Sequence, residues 1–301
     1  MGRPGRLLAP LALGLGCAQE QNSVKQAEDS GEALEVCAAG GPTTTYVIQQ
    51  LRFARNEGGV SWGSDLDGEV TPPGSTGGCG KPDLTDPEGR PGIDNAFAGL
   101  LPAIEQTEGA AISALLQDSI RAGELLLTFE LLGLDDLEND ACIDVQFGNA
   151  SGSPLLGTDG ELLAGQSYLR DPSVAPSRAE AVVVEGGRLI FRADFGIKLQ
   201  ILTAELDLLV TQGEARLDLA PDGSGATGHI TGAVHIQTML DEIDKHGIDQ
   251  GLKDLIHTVL PAIADLKGPE GTCDHFSLAF EFDAVPAFYY LDDGLDAPTA
   301  D

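Results

Sequence analysis

Two short acidic motifs bring together residue types suited to ion chemistry. Asp65-Leu66-Asp67-Gly68 comes first. Asp83, Asp86, Glu88 and Gly89 then lead into Pro91-Gly92-Ile93-Asp94-Asn95. Carboxylates alternating beside a glycine let a tight loop aim several oxygens inward, and calcium takes about 6–8 oxygen ligands. The expectation is that Asp65, Asp67, Asp86, Glu88, Asp94 and Asn95 contribute to one or two calcium sites that order residues 56–95. The D-x-[DN]-x-[DN]-G order and closing Glu of an EF-hand are absent. A competing reading needs no ion. In it Asp65 and Asp67 are turn residues, and Asp94 or Asn95 caps the following helix.

Other chemistry is hard to find. No G-x-S-x-G elbow, Walker loop, helix-opening G-x-G-x-x-G or H-E-x-x-H occurs. The histidines are His229, His235, His246, His257 and His275. His229 and His235 fall on one face of a candidate strand, but about 20 Å apart at ~3.3 Å per residue, too far to share a metal. No catalytic residue is assigned. The cysteines are Cys17, Cys37, Cys79, Cys142 and Cys273, and no pair has C-x-x-C spacing. With Cys17 set aside, four remain for two disulfides, and all three connectivities stay open.

The elements that must hold these residues follow from composition and period. The chain has 301 residues, a net charge of −31 and a mean hydropathy of −0.01. That acidity argues against nonspecific binding to nucleic acid. No apolar run approaches the roughly 20 residues of a spanning helix. Arg3 and Arg6 precede an apolar stretch from Leu7 to Leu15, which ends at Gly16-Cys17. A basic start, a short apolar run and a small residue at the cut read as an export signal. The Cys after the small residue resembles a bacterial lipobox, in which that Cys is lipidated. The Leu usual three positions earlier is replaced by Gly14, with Leu13 and Leu15 beside it. An ordinary cleaved signal peptide is the alternative.

Residues 1–16 are therefore expected to be a signal peptide and 17–43 a lipid-anchored flexible tether. Residues 44–290 form one α+β domain, and 291–301 an acidic tail. Within the domain, Thr44–Arg55 reads as a strand and 56–93 as a loop long enough to suggest that a ligand holds it. Asn95–Arg121 reads as two short helices parted by Gly109, with Gly123 stopping the second. Strands then alternate through 124–132, 142–147, 189–210, 215–219 and 230–236. Turn signals stand at Gly186-Gly187, Gln212-Gly213 and Pro221-Asp222-Gly223. Thr238–Leu266 returns to a helical period broken at Gly247, Gly251 and Pro261. Phe276, Leu278, Phe280 and Phe282 alternate in a last strand. The expected fold is an antiparallel β-rich meander or sandwich with two helical segments.

Tyr46 to Arg55, Asp65-Leu66-Asp67-Gly68 and Gly92-Ile93-Asp94-Asn95 with Leu100-Leu101 resemble a group of uncharacterised exported lipoproteins from myxobacteria and their relatives. Here an insertion carrying Cys79 parts the two aspartate motifs. The resemblance implies a location and an architecture but no activity. The leading expectation is a non-enzymatic envelope lipoprotein with a structural or binding role, stabilised by calcium. It would meet the membrane through its anchor and another envelope protein or an apolar ligand elsewhere. A carrier of lipid or another apolar ligand is the runner-up, and a carboxylate hydrolase comes third. Cys17→Ala is expected to move the protein from membrane to soluble fractions. Intact-mass analysis checks this: a mature chain starting elsewhere, without added lipid mass, would refute lipidation.

Overall fold

The alternation of apolar and polar residues after residue 43 builds a meander whose last strand returns to its first. The computed structural model describes residues 37, 41–75, 77–107, 112–201, 204–246 and 250–290. All belong to the unit formed by residues 36–301. The expected signal, Cys17, most of the tether and the acidic tail lie outside the described residues.

In chain order the elements are β1 (Thr43–Phe53), β2 (Leu84–Thr85), β3 (Pro91–Ile93), α1 (Ala96–Thr107), α2 (Ile112–Ala122), β4 (Leu126–Leu132) and β5 (Asn139–Ser151). Then come β6 (Gln166–Arg170), β7 (Ser177–Glu185), β8 (Arg188–Ile201), β9 (Ala204–Leu219) and β10 (Ala226–His235). The last are α3 (Ile236–Lys245), α4 (Gln250–Val259), β11 (Leu266–Lys267) and β12 (Cys273–Tyr289). The fold is α+β, as expected, and its meander closes. Antiparallel pairing runs β1–β4–β5–β7–β8–β9–β10–β12 and back to β1. These eight strands form a barrel, a size at which inward side chains can just fill the interior. β6 lies alongside, parallel to β12, and β2 and β3 form a small ribbon in the long loop.

Aromatic residues fill the middle of the barrel. Tyr46, Phe129 and Phe147 sit in register across β1, β4 and β5. The Phe129 ring centroid is 5.3 Å from that of Phe147 and 5.2 Å from that of Phe282, and Phe147 is 5.0 Å from Phe195. Glycines opposite these rings make room for them. A Cβ on Gly213 would meet the Phe195 ring at 2.4 Å, and one on Gly228 would meet Phe282 at 2.9 Å. The helices contact the barrel strands: α1 meets β12, α3 meets β9, β10 and β12, and α2 meets β1 and β8, which stand on opposite sides of the ring. Leu116 and Ile120 of α2 and Ile243 of α3 are buried. Gly123 ends α2 at φ +80°, with its N–H donated to the Ile120 carbonyl, so the stop signal holds.

Outward positions of the strands are charged and paired. Arg188 meets Asp218 at 2.6 Å, Arg192 meets Glu214 at 2.9 Å and Arg178 meets Asp144 at 2.6 Å. An apolar interior with a charged outer wall is the inverse of a membrane-spanning barrel.

Two disulfides tie extended segments to this frame. Cys37 joins Cys142 in β5, and Cys79 of the long loop joins Cys273 at the start of β12. Cys37, within the segment expected to be a flexible tether, is bonded to β5. Two expectations need correction, and a long strand was not foreseen. Gln212-Gly213 is not a turn: Gln212 takes φ +52° inside β9, and the registers with β8 and β10 shift beside it, so the residues form a bulge. Gly251 does not break a helix but lies in the first turn of α4. β7 went unforeseen because a register shift beside Ala181, at φ +54°, disturbs its alternation.

If the interior is close-packed as these contacts indicate, Phe147→Ala should cost about 3–5 kcal/mol. Denaturant unfolding checks this, as a fall in midpoint with an unchanged slope.

Candidate metal centre

The long loop, 54–95, runs over the outer faces of β9, β10 and β12 and is held there by polar contacts. Ala54 N–H donates to the Ala279 carbonyl at 2.9 Å. Asn95 is buried, and its Nδ2 donates to Ser61 Oγ at 2.8 Å and to the Trp62 carbonyl at 3.3 Å. Its Oδ1 accepts from Ala98 N–H at 3.3 Å, the geometry of an N-cap on α1. Ser277 Oγ accepts from Ala96 N–H at 2.8 Å and in turn donates to Asp265.

Within this layer three carboxylates converge. One oxygen from each of Asp65, Asp67 and Asp94 lies within 4.8 Å of the others. Oxygens on a calcium shell of 2.3–2.6 Å radius can be at most about 5 Å apart, so the set fits one ion. Backbone turns aim the oxygens: Asp65 accepts from Gly68 N–H at 2.7 Å, Asp67 from Glu69 N–H at 2.8 Å and Asp94 from Leu66 N–H at 2.7 Å. The turn reading and the ion reading therefore describe the same residues. Gly92, at φ +85°, passes close by, and a Cβ there would meet Asp65 Oδ2 at 3.4 Å. Three carboxylates supply part of a calcium shell, leaving the rest to water or backbone oxygens.

The other three expected ligands go elsewhere. Asp86 accepts from Arg90 N–H at 2.7 Å and pairs with the Arg90 guanidinium. Burial would raise its pKa, but the hydrogen bonds and charge of Arg90 hold it below the usual value. Glu88 accepts from Arg216 at 2.8 Å and from Arg188 at 3.3 Å. The Arg216 hydrogen bond does most to lower its pKa, to about 2. Asn95 is committed to its cap and to the Ser61 and Trp62 contacts. These three are structural partners, not ligands of the converging set.

Two further acids surround the set. Asp265 is 5% exposed and accepts Ser277 N–H at 2.8 Å. Burial pushes its pKa up to about 6, with the charge of Asp67 adding to the rise. Asp83 accepts Thr71 N–H, and its pKa is raised first by burial and then by Asp67, Asp65 and Glu69. Asp94, 3% exposed, is raised to about 8, chiefly by burial and then by Asp67, Asp265 and Asp83. Among the described residues none of Asp65, Asp67, Asp83, Asp94 and Asp265 pairs with Lys, Arg or His. Asp83 stands in the acidic run of the loop, but nothing in the sequence links Asp265 to it across 170-odd residues of chain. Comparison with protein-family models, curated proteins and solved structures found no match.

A carboxyl whose folded pKa lies above its unfolded value binds protons more tightly in the folded state. Stability then falls as pH rises from the unfolded value, near 4, and the loss is complete above the folded value. In chelator, the melting temperature should therefore fall between about pH 4 and pH 8, by roughly 2–4 °C for each kcal/mol lost in a domain of 150–250 residues. Asp265→Asn should flatten the lower part of that fall, and Asp94→Asn its upper part. Thermal melts across pH in chelator check both.

Proposed function

We propose that this protein is an exported, calcium-stabilised component of the bacterial cell envelope that acts by binding rather than by catalysis and is held to the membrane through lipid on Cys17. The observation that carries the calcium part is the convergence of one oxygen each from Asp65, Asp67 and Asp94 within 4.8 Å, among acids without a cationic partner among the described residues. A divalent cation supplies the missing charge, so the loop can lie down on the barrel with its carboxylates ionised. The two disulfides support export, because structural disulfides persist in oxidising compartments. Carriage of lipid inside the barrel is the weaker reading. The Phe129, Phe147, Phe195 and Phe282 rings occupy that space, so binding falls to the outer surface.

Calcium that binds only the folded state stabilises it by about 2.7 kcal/mol at a hundredfold excess over its dissociation constant. The melting temperature at neutral pH should accordingly be higher in calcium than in chelator. Asp67→Ala and Asp94→Ala should each remove most of that difference, whereas Glu88→Ala should leave it. Calorimetric titration with calcium together with paired melts checks the reading. No binding heat and identical melts would leave only turns and caps.

A further inference from the structure

Beside the metal centre, on the same flank of the barrel, lies a cleft of about 930 Å³. Its wall comes from outward residues of β1 and β12, from the loop around Trp62 and from α2. Arg52 and Glu281 are paired across β1 and β12, and His229 of β10 is opposite Glu281 on its other side. Trp62, the single tryptophan of the chain, stacks on His229 with ring centroids 5.2 Å apart and planes 23° from parallel. The Arg216 guanidinium lies 5.5 Å from the indole centroid, and burial followed by the Arg216 charge lowers the His229 pKa to about 4. The indole is therefore fixed against a neutral imidazole while remaining half-exposed at the cleft.

The polar groups of the cleft are also fixed in advance. Gln117 Nε2 donates to the Gln49 carbonyl at 2.7 Å and reaches Glu161 at 3.4 Å. Arg55 is held in a fork by Glu105. Arg52 donates to Gln50 Oε1 at 3.1 Å and to Asp283 at 2.7 Å. Preset polar groups lower the ordering cost of binding.

Several hydrogen-bonding atoms at this cleft are unused. Glu281 accepts no hydrogen bond among the described residues, and its nearest cation, Arg52, is 4.0 Å away. Burial raises the Glu281 pKa, and Asp283 and Glu57 raise it further against the opposing charge of Arg52. Among the described residues the Trp62 indole N–H and the Gln50 amide N–H₂ have no protein acceptor. The cleft thus presents one planar apolar ring, a partly exposed carboxylate that accepts no protein hydrogen bond, and amide and indole donors left to solvent. Its arginines, Arg55 and Arg52, are already matched by Glu105 and Asp283, so among the described residues no free positive charge of the cleft attracts an anion.

A ligand that satisfies all of these at once has an apolar face for the ring and hydroxyls that both donate and accept. We propose that this cleft is a binding site for a neutral saccharide, which packs a sugar face against Trp62 and donates a hydroxyl to Glu281. Pockets of this kind take their specificity from a few fixed polar groups around an apolar contact.

Because Trp62 is the single tryptophan, all indole emission comes from this cleft. The purified protein would be titrated in calcium with cellohexaose, chitohexaose, maltohexaose and xylohexaose, with spermidine as a cationic control. At least one oligosaccharide should give a saturable emission change with a Kd of about 1 mM or tighter. Glu281→Gln and Gln50→Ala, each checked for an unchanged melting temperature, should weaken that binding at least tenfold. Silence with all four sugars, a response to spermidine alone, or unchanged affinity in both folded variants would overturn the proposal. The titration varies the sugar at fixed calcium and the melts vary calcium without sugar, so either reading can fail without the other.

Discussion

The strands beneath the long loop, β9, β10 and β12, are each paired on both sides and leave no edge there to which that segment can attach. The chain between β1 and α1 must therefore be fastened to the outer wall by side chains. That constraint shapes the whole flank. The loop has little apolar surface to offset its ordering entropy, so polar atoms and covalent links have to hold it. Asn95 spans three segments through Ser61, Trp62 and the cap of α1. Ser64 donates to Glu214 of β9 at 2.7 Å, Cys79 is bonded to Cys273, and Trp62 lies flat on His229. The Asn95 hydrogen bonds bury polar groups, and a buried polar group is costly unless it is partnered.

The loop solves that problem differently in its two halves. Around Glu88 the cations are the protein's own. Arg216, only 4% exposed at its side chain, and Arg188 meet Glu88, while Arg90 meets Asp86. Around Asp94 and Asp265 no such cation is found among the described residues, and burial drives both carboxyls toward their protonated forms. Protonation would remove the charge but would leave folding sensitive to pH. A divalent ion would remove it while keeping all the carboxylates ionised. The contrast between two halves of one loop, in a chain that supplies arginines freely elsewhere on this face, is the strongest argument that the missing charge comes from outside.

What was legible in the sequence divides along the same line. Period-two alternation is local, so β1, β8, β9, β10 and β12 could be read from single stretches, and the stop at Gly123 could be read from one residue. Closure of the meander could not, because it rests on β1 pairing with β12 more than two hundred residues later. Bulges hid β7 and made Gln212-Gly213 look like a turn, since one extra residue inverts the pattern that periodicity depends on. At the site, Asp65, Asp67 and Asp94 stood out because turn geometry is also local. Asp86 and Glu88 looked the same in sequence. Their roles are decided by Arg90 and by Arg216, and no spacing rule pairs Glu88 with an arginine 128 positions away. Asp265 and the Trp62–His229 stack were equally invisible, being contacts between distant strands and the loop.

Trp62 and Asp65 are three residues apart on this one segment. Between them Ser64 is fixed at both ends, its carbonyl accepting from Asp94 N–H at 3.0 Å and its hydroxyl bonded to Glu214. Whatever orders the carboxylates also orders the indole, because Asp94 and Trp62 are bridged through Ser64 and Asn95 with no flexible stretch between them. Linkage between two sites on such a segment is reciprocal. If a cation spares the cleft's ligand the cost of ordering the loop, that ligand must tighten cation binding by the same factor. The disulfide at Cys79 limits how large the factor can be, since a loop already pinned to β12 has less disorder for either ligand to remove.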